Sequence, residues 1–149
     1  MPGPFAPSDS LVGPIVSNLT TFINAQIPTV GFIYPTLPDR PPADDAVVLP
    51  LMKAAIVTET NGKLKISLSF ALRHLFRRTN LADDIARAYT YIVPWLNVLG
   101  AWQNQTLSGL AMEVDSKDLV VTQVTMAGQV LVALAINLNV ITEINIVLN

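Results

Sequence analysis

The most constraining feature of this chain is a change of hydrophobic period within the stretch 63–102. It opens on strict alternation: Leu64, Ile66, Leu68, Phe70 and Leu72 fall on one side, and Lys65, Ser67, Ser69, Ala71 and Arg73 on the other. A period of two sustained over that length specifies a strand with one buried face. After the basic run His74-Leu75-Phe76-Arg77-Arg78, apolar residues recur at spacings of three and four: Leu81, Ile85, Ala88, Tyr89, Ile92, Leu96 and Leu99. That is the spacing of a helix lying on an apolar surface. A strand therefore feeds into a helix able to cover a sheet, and the rest of the chain must supply that sheet.

The flanking segments do so. Asn61-Gly62 is a dipeptide suited to the two positive-φ positions of a tight hairpin turn. It joins the alternating strand to one before it, spanning 46–51 and 54–60 and interrupted at Pro50, as expected of an edge or bulged strand. Upstream, Leu11, Ile15, Leu19, Phe22 and Ile23 take helical spacing. Ser8, Asp9 and Ser10 are N-cap residues by type, and Pro14 is tolerable in the first turn. Pro28 closes that helix, and a short strand is expected over 30–34. Asn80 is placed to cap the second helix, with Asp83 and Asp84 in its first turn. Pro94 should kink it or split it into 81–92 and 95–100, with Gly100 as its stop. Strands are then expected at 107–115, 119–127 and 130–144. Asp115-Ser116-Lys117-Asp118 should form a turn, and Ala127-Gly128-Gln129 a second turn or a bulge.

On the longest strand Val130, Val132, Leu134, Ile136, Leu138 and Val140 share one face. Leu131, Ala133, Ala135, Asn137 and Asn139 share the other, a mixture suited to a close contact or a narrow lumen. This order of elements predicts an α+β fold: a mixed, mainly antiparallel sheet with two helices on one face, in a single domain over 10–149 behind an extended N-terminal arm at 1–9.

Composition narrows the role. Hydrophobic residues make up 51% of the 149 and charged residues 13%, about half the usual share of roughly 25%. Such a chain exposes apolar area as a monomer, which points to a subunit of an assembly. The net charge of −2 provides no global attraction to nucleic acid or to a membrane surface. With no cysteine, disulfides and thiolate metal sites are excluded. No signal peptide is expected, because Met1-Pro2-Gly3-Pro4-Phe5-Ala6-Pro7 has neither a basic nor an apolar leader region. The apolar run 127–148 is interrupted by Gln129, Asn137, Asn139, Glu143 and Asn145 and alternates like a strand, so a membrane span is not expected.

Catalytic constellations are sparse. His74 is the only histidine, so histidine metal clusters cannot form, and its plain reading is a polar residue at a strand end. The glycines fit neither a P-loop nor a dinucleotide fingerprint. Asp83 and Asp84 are accounted for by helix capping, and Asp39, Asp44, Asp45 and Glu59 by solvated positions. A non-enzymatic protein is expected, with no catalytic residue, no cofactor and no metal. Trp95 and Trp102 read as core or interface anchors.

Two sets of residues remain as candidate contact sites. Lys63, Lys65, Arg73 and Arg77 would share a face of an unbroken strand, with Arg78 beside them. They form a basic face directed at a lumen, a neighbouring subunit or solvent. The proline-rich loop 35–45 carries Asp39, Arg40, Asp44 and Asp45, either as a solvated connector or as a reach toward a neighbour.

The element order itself has a counterpart. An N-terminal helix, a strand, a Pro/Asp-rich loop, a hairpin strand, a central helix ending near Trp95-Leu96 and Leu99, and final strands including 124–136 together resemble the tail terminator (tail completion) proteins of tailed bacteriophages. The resemblance covers nearly the whole chain and lies in length and order rather than in a residue motif. It implies a homohexameric ring that caps the tail tube, stops its polymerisation and joins it to the neck or head connector. DNA would pass through the lumen on ejection. The implied partners are further copies of the chain, the tail tube protein, a neck or head-connector protein and the passing DNA. The implied location is the virion tail and neck, after assembly in the host cytoplasm. Two alternatives share parts of this reading: another virion ring or tube subunit (tail tube, neck adaptor or baseplate), and a small-molecule-binding α+β domain.

Overall fold

A computed structural model describes residues 11–27, 32–34, 38–42, 44–60, 62–102 and 113–145. The fold is α+β. Helix α1 (Val12–Gln26) precedes strands β1 (Phe32–Tyr34), β2 (Ala46–Val48), β3 (Leu51–Thr60) and β4 (Lys63–Leu75). Helices α2 (Leu81–Thr90) and α3 (Ile92–Trp102) follow, then β5 (Glu113–Met126) and β6 (Gln129–Asn145).

Strand β4 is the spine of the sheet. It pairs antiparallel with β6 along its whole length, from Lys63 opposite Asn145 to Leu75 opposite Ala133. On its other side it pairs with β3 and then β2. These two are one strand broken where the sequence places Pro50, which has no N–H for the ladder. The register is nevertheless kept across the break, since Val48 faces Arg73 and Leu51 faces Phe70. The only parallel pairing among the described residues is β1 on β2. The sheet runs β1-β2-β4-β6-β5, with β3 beside β4.

The alternation decides the layers. Ile66, Leu68, Phe70 and Leu72 of β4 are buried together with Val132, Leu134, Ile136, Leu138 and Val140 of β6. All belong to one core with Ile15, Leu19 and Ile23 of α1, Ala88 of α2, and Trp95, Val98 and Leu99 of α3. Burying a Leu, Ile or Phe side chain contributes about 1.5–3 kcal/mol each, so this face holds the helices to the sheet. A smaller cluster on the opposite face joins Val48, Leu75, Met126, Leu131 and Ala133.

Several local expectations are revised. The helix after β4 is broken at Tyr91, three residues ahead of Pro94. Pro94 has no N–H for the Thr90 carbonyl and its ring would collide with it, so the chain tightens and the Tyr91 N–H donates to Ala88 O at 3.1 Å. Helical bonding resumes from Trp95 N–H to Tyr91 O at 3.0 Å. Gly100 does not stop this helix, which continues to Trp102. The segment 115–118 is not a turn: β5 runs through it, with a register shift between Ser116 and Leu119. A bulge absorbs the extra residue while keeping both flanks paired with β6. The turn at Ala127-Gly128 is present, with φ values of 50° and 77° joining Met126 to Gln129. The N-cap position of α1 is Leu11, with no side-chain cap bond. The arm 1–9, the cap residues Ser8, Asp9 and Ser10, and the strand portion 107–112 lie outside the described residues.

Candidate functional site

The face of the sheet away from the helices presents Lys53, Lys63, Lys65, Ser67, Ser69, Arg73, Asn137, Asn139, Glu143 and Asn145. Their common face follows from the register, because directly opposed residues point the same way. Glu113 and Asp115 join it from β5, opposite Ile141 and Asn139. Toward the Lys63 end the face is therefore polar and mixed in sign, whereas its other end is the buried apolar cluster of Val48, Leu75, Leu131 and Ala133. Lys63 Nζ pairs with Glu143 Oε1 at 3.5 Å, with both side chains about half exposed. Ser69 Oγ donates to Asn139 Oδ1 at 2.8 Å. The Arg73 guanidinium donates to the carbonyls of Leu72 at 2.8 Å and Ile136 at 3.2 Å, and partial burial lowers its pKa.

Of the expected basic set, Lys63, Lys65 and Arg73 share this face within β4. Arg77 and Arg78 lie beyond the end of β4 at Leu75, and both are exposed. The Arg77 backbone N–H donates to Asp45 Oδ1 at 2.7 Å, and Arg78 Nη1 donates to Val130 O at 2.6 Å.

The loop set also divides. Asp39, Arg40 and Asp44 are exposed. Asp45 instead ties the loop down, through the Arg77 N–H and through Arg87 Nη2 at 3.4 Å.

No sequence motif singles out Arg87, yet it knits three segments. It reaches Asp45 in the loop, the Arg77 carbonyl at 2.8 Å and Asp84 Oδ1 at 3.4 Å. Its guanidinium also lies 5.8 Å from the centre of the Phe76 ring, within reach of a cation–π contact. The Asp84–Arg87 spacing of three was a usable signal; Asp45, far away in sequence, gave none. Asn80 caps α2 as its type requires, its side chain accepting from the N–H groups of Ala82 and Asp83. Asp84 does more than cap. It is fully buried and accepts from the Thr79 hydroxyl at 2.6 Å and the Thr79 N–H at 3.2 Å. Burial pushes its pKa up, but the Thr79 hydrogen bonds, Arg87 and the Asn80 backbone outweigh this and hold it below the ordinary carboxylate range.

His74 is a core residue rather than a polar strand end. It is fully buried, and Trp95 Nε1–H donates to its Nδ1 at 2.9 Å. Phe76 stacks on it at 4.4 Å between centroids and Tyr91 meets it edge-on at 4.7 Å. With Nδ1 accepting, the neutral ring carries its proton on Nε2, which has no partner among the described residues. Burial, helped by the positive charge of Arg87, lowers the pKa to about 3. This histidine stays neutral and holds α3 to β4.

The chain matches no protein-family model and no curated protein. Among the described residues no group of three or more His, Cys, Asp or Glu is placed to hold a metal ion, and no helix is long and apolar enough to cross a membrane.

Among the described residues no strand lies beyond β3 or beyond β5. On β3, Met52 and Ile56 are each 67% exposed and Val57 is 47% exposed. Val120 of β5 is exposed as well. An unpaired edge with apolar side chains is a template for pairing with another chain, so these edges are candidate contact surfaces.

Proposed function

We propose that this chain is a structural virion subunit of the tail-terminator type. Copies close into a hexameric ring that caps a phage tail tube, ends its polymerisation and joins the tail to the neck or head connector. The observation that carries this reading is that, among the described residues, neither β3 nor β5 has a partner on its outer side, and the two lie at opposite sides of one sheet. Setting β3 of one copy against β5 of the next satisfies the backbone groups of both and covers Met52, Ile56 and Val57. Repeating that contact around an axis closes a ring in which both of these edges are paired. The polar sheet face, from Lys53 and Lys65 to Asn137 and Asn139, then lines the lumen or meets a neighbour. Its mixed charge suits the passage of DNA without tight binding, because few phosphates would be neutralised at once.

A second reading is favoured by one feature. Strands β3 and β4 form a long hairpin whose β3 side is largely exposed. A hairpin of this kind would let successive rings stack, as a tail-tube subunit requires. Negative-stain imaging of the purified chain separates the two. Closed rings that do not grow are expected for the terminator, and extended tubes for the tube subunit. Dispersed monomers at assembly concentration would refute both. Ile56→Lys, at an exposed edge position, should abolish rings while leaving the circular dichroism of the folded chain unchanged.

A further inference from the structure

Strands β3 and β5 carry opposite charge on the same face of the sheet, and one row of side chains joins them. On β3, Lys53 lies opposite Ser69 of β4. Ser69 lies opposite Asn139 of β6, and Asn139 lies opposite Asp115 of β5. Directly opposed residues point to one face, so Lys53, Ser69, Asn139 and Asp115 form a single polar row across four strands. The two middle members satisfy each other, through the hydrogen bond from Ser69 Oγ to Asn139 Oδ1 at 2.8 Å. The two ends do not. Three strand spacings, roughly 14 Å, separate Lys53 from Asp115, far beyond the reach of an ion pair. Neither side chain has a hydrogen bond or an ion pair among the described residues.

The sign of the charge differs between the two strands. The other charged residue of β3, Glu59, lies opposite Leu64 and so belongs to the helix-side face. On β5, Glu113 lies opposite Ile141 and shares the polar face with Asp115. On this face β3 therefore presents a cation and β5 two carboxylates. Bringing β3 to β3, or β5 to β5, gains no ion pair here. Setting β3 against β5 does, which favours a head-to-tail contact over a two-fold one.

We infer that Lys53 of each copy pairs with Asp115 of its neighbour, so that the polar row runs on from one copy into the next. This rests on the ring proposed for the chain and adds its register. Cyclic symmetry is a pure rotation, so every copy stands at the same height on the axis. With the strands along that axis, a row that leaves one copy at Asp115 enters the next at the start of the same row, which is Lys53. The neighbouring rows agree. Ala54, Leu68, Val140 and Val114 form one row on the helix side, and Ala55, Ser67, Ile141 and Glu113 form another on the polar side. The same contact thus sets Ala54 against Val114 and Ala55 against Glu113. Slipping by one residue would turn Lys53 to the apolar face. Slipping by two would set it against Glu113, which is the rival register.

The chain has no cysteine, so disulfides report this register directly. A chain carrying both Lys53→Cys and Asp115→Cys is oxidised at a concentration where negative staining shows wild-type rings. It should yield a ladder of cross-linked multimers up to the closed ring. Lys53→Cys with Glu113→Cys should cross-link about tenfold more slowly, because that diagonal of roughly 7–8 Å exceeds the usual span of a disulfide. Charge reversal gives a second readout. Lys53→Glu and Asp115→Lys should each raise the concentration needed for rings by roughly tenfold, and both reversals in one chain should restore it. Circular dichroism establishes that each variant is folded. Rings that cross-link through residue 113 or through neither residue, or a double reversal that restores nothing, would overturn the pairing and leave the ring standing. A folded wild-type chain that forms no rings would overturn both.

Discussion

Acidification between pH 6.5 and pH 4.5 should weaken this fold through one residue. His74 is the only histidine, and its folded pKa is lowered to about 3 from 6.5. The unfolded chain therefore takes up a proton below pH 6.5 that the folded chain refuses. Stability from this group is full above 6.5, falls as pH drops below it, and levels off only near 3. At pH 4.5 the gap from 6.5 is two units, and at 1.36 kcal/mol per unit this amounts to about 3 kcal/mol. That is a large share of the roughly 5–15 kcal/mol that holds a typical domain folded. The structural cause is explicit. A protonated Nδ1 can no longer accept from Trp95, and the new charge would be buried beside Arg87 among Phe76, Tyr91 and Trp95. Urea unfolding at pH 7.5, 6.5, 5.5 and 4.5 measures the loss. His74→Asn offers an acceptor near the Nδ1 position but does not titrate, so it should be less stable at pH 7.5 and lose less between pH 6.5 and 4.5. Parallel pH curves for the wild type and His74→Asn would refute the reasoning.

Other consequences are equally concrete. Asp84→Ala removes a buried carboxylate that accepts from Thr79 and meets Arg87, and should lower unfolding stability by about 2–3 kcal/mol at pH 7. Because the folded pKa of Asp84 is lowered, its stabilisation is present above the unfolded value near 3.9 and is lost as pH falls through the folded one. The variant should lack that part of the acid loss below pH 4 in the same urea series. Ala127 sits at φ 50° in the turn before Gly128, so Ala127→Asn should raise stability by about 1 kcal/mol and lift the thermal midpoint. A Cβ at Gly100 would meet no described atom within 4 Å, so Gly100→Ala should stabilise the chain by about 1 kcal/mol in thermal unfolding.

What the sequence determined by itself is local and periodic. The alternation of 64–72, the Asn61-Gly62 turn signal between β3 and β4, the Asn80 cap and the even-numbered apolar face of β6 all follow from side-chain chemistry at fixed spacing. The two-layer arrangement is implied by them, since each apolar face needs a cover. Tertiary structure decided the questions that spacing leaves degenerate. Residues 115–118 are as polar as a turn, but continuous pairing with β6 makes them a bulge. The apolar positions from Leu81 to Leu99 read as one buried stripe, yet Leu81, Tyr89 and Leu96 are exposed while Ala88, Trp95 and Leu99 are buried. Those helices are apolar on more than one side, and a period alone does not say which side meets the sheet. The Trp95–His74 hydrogen bond and the Arg87 contacts to Asp84 and Asp45 join residues whose proximity only the fold creates. The same choice of face that buries Trp95 on His74 turns Tyr89, Val93 and Leu96 outward.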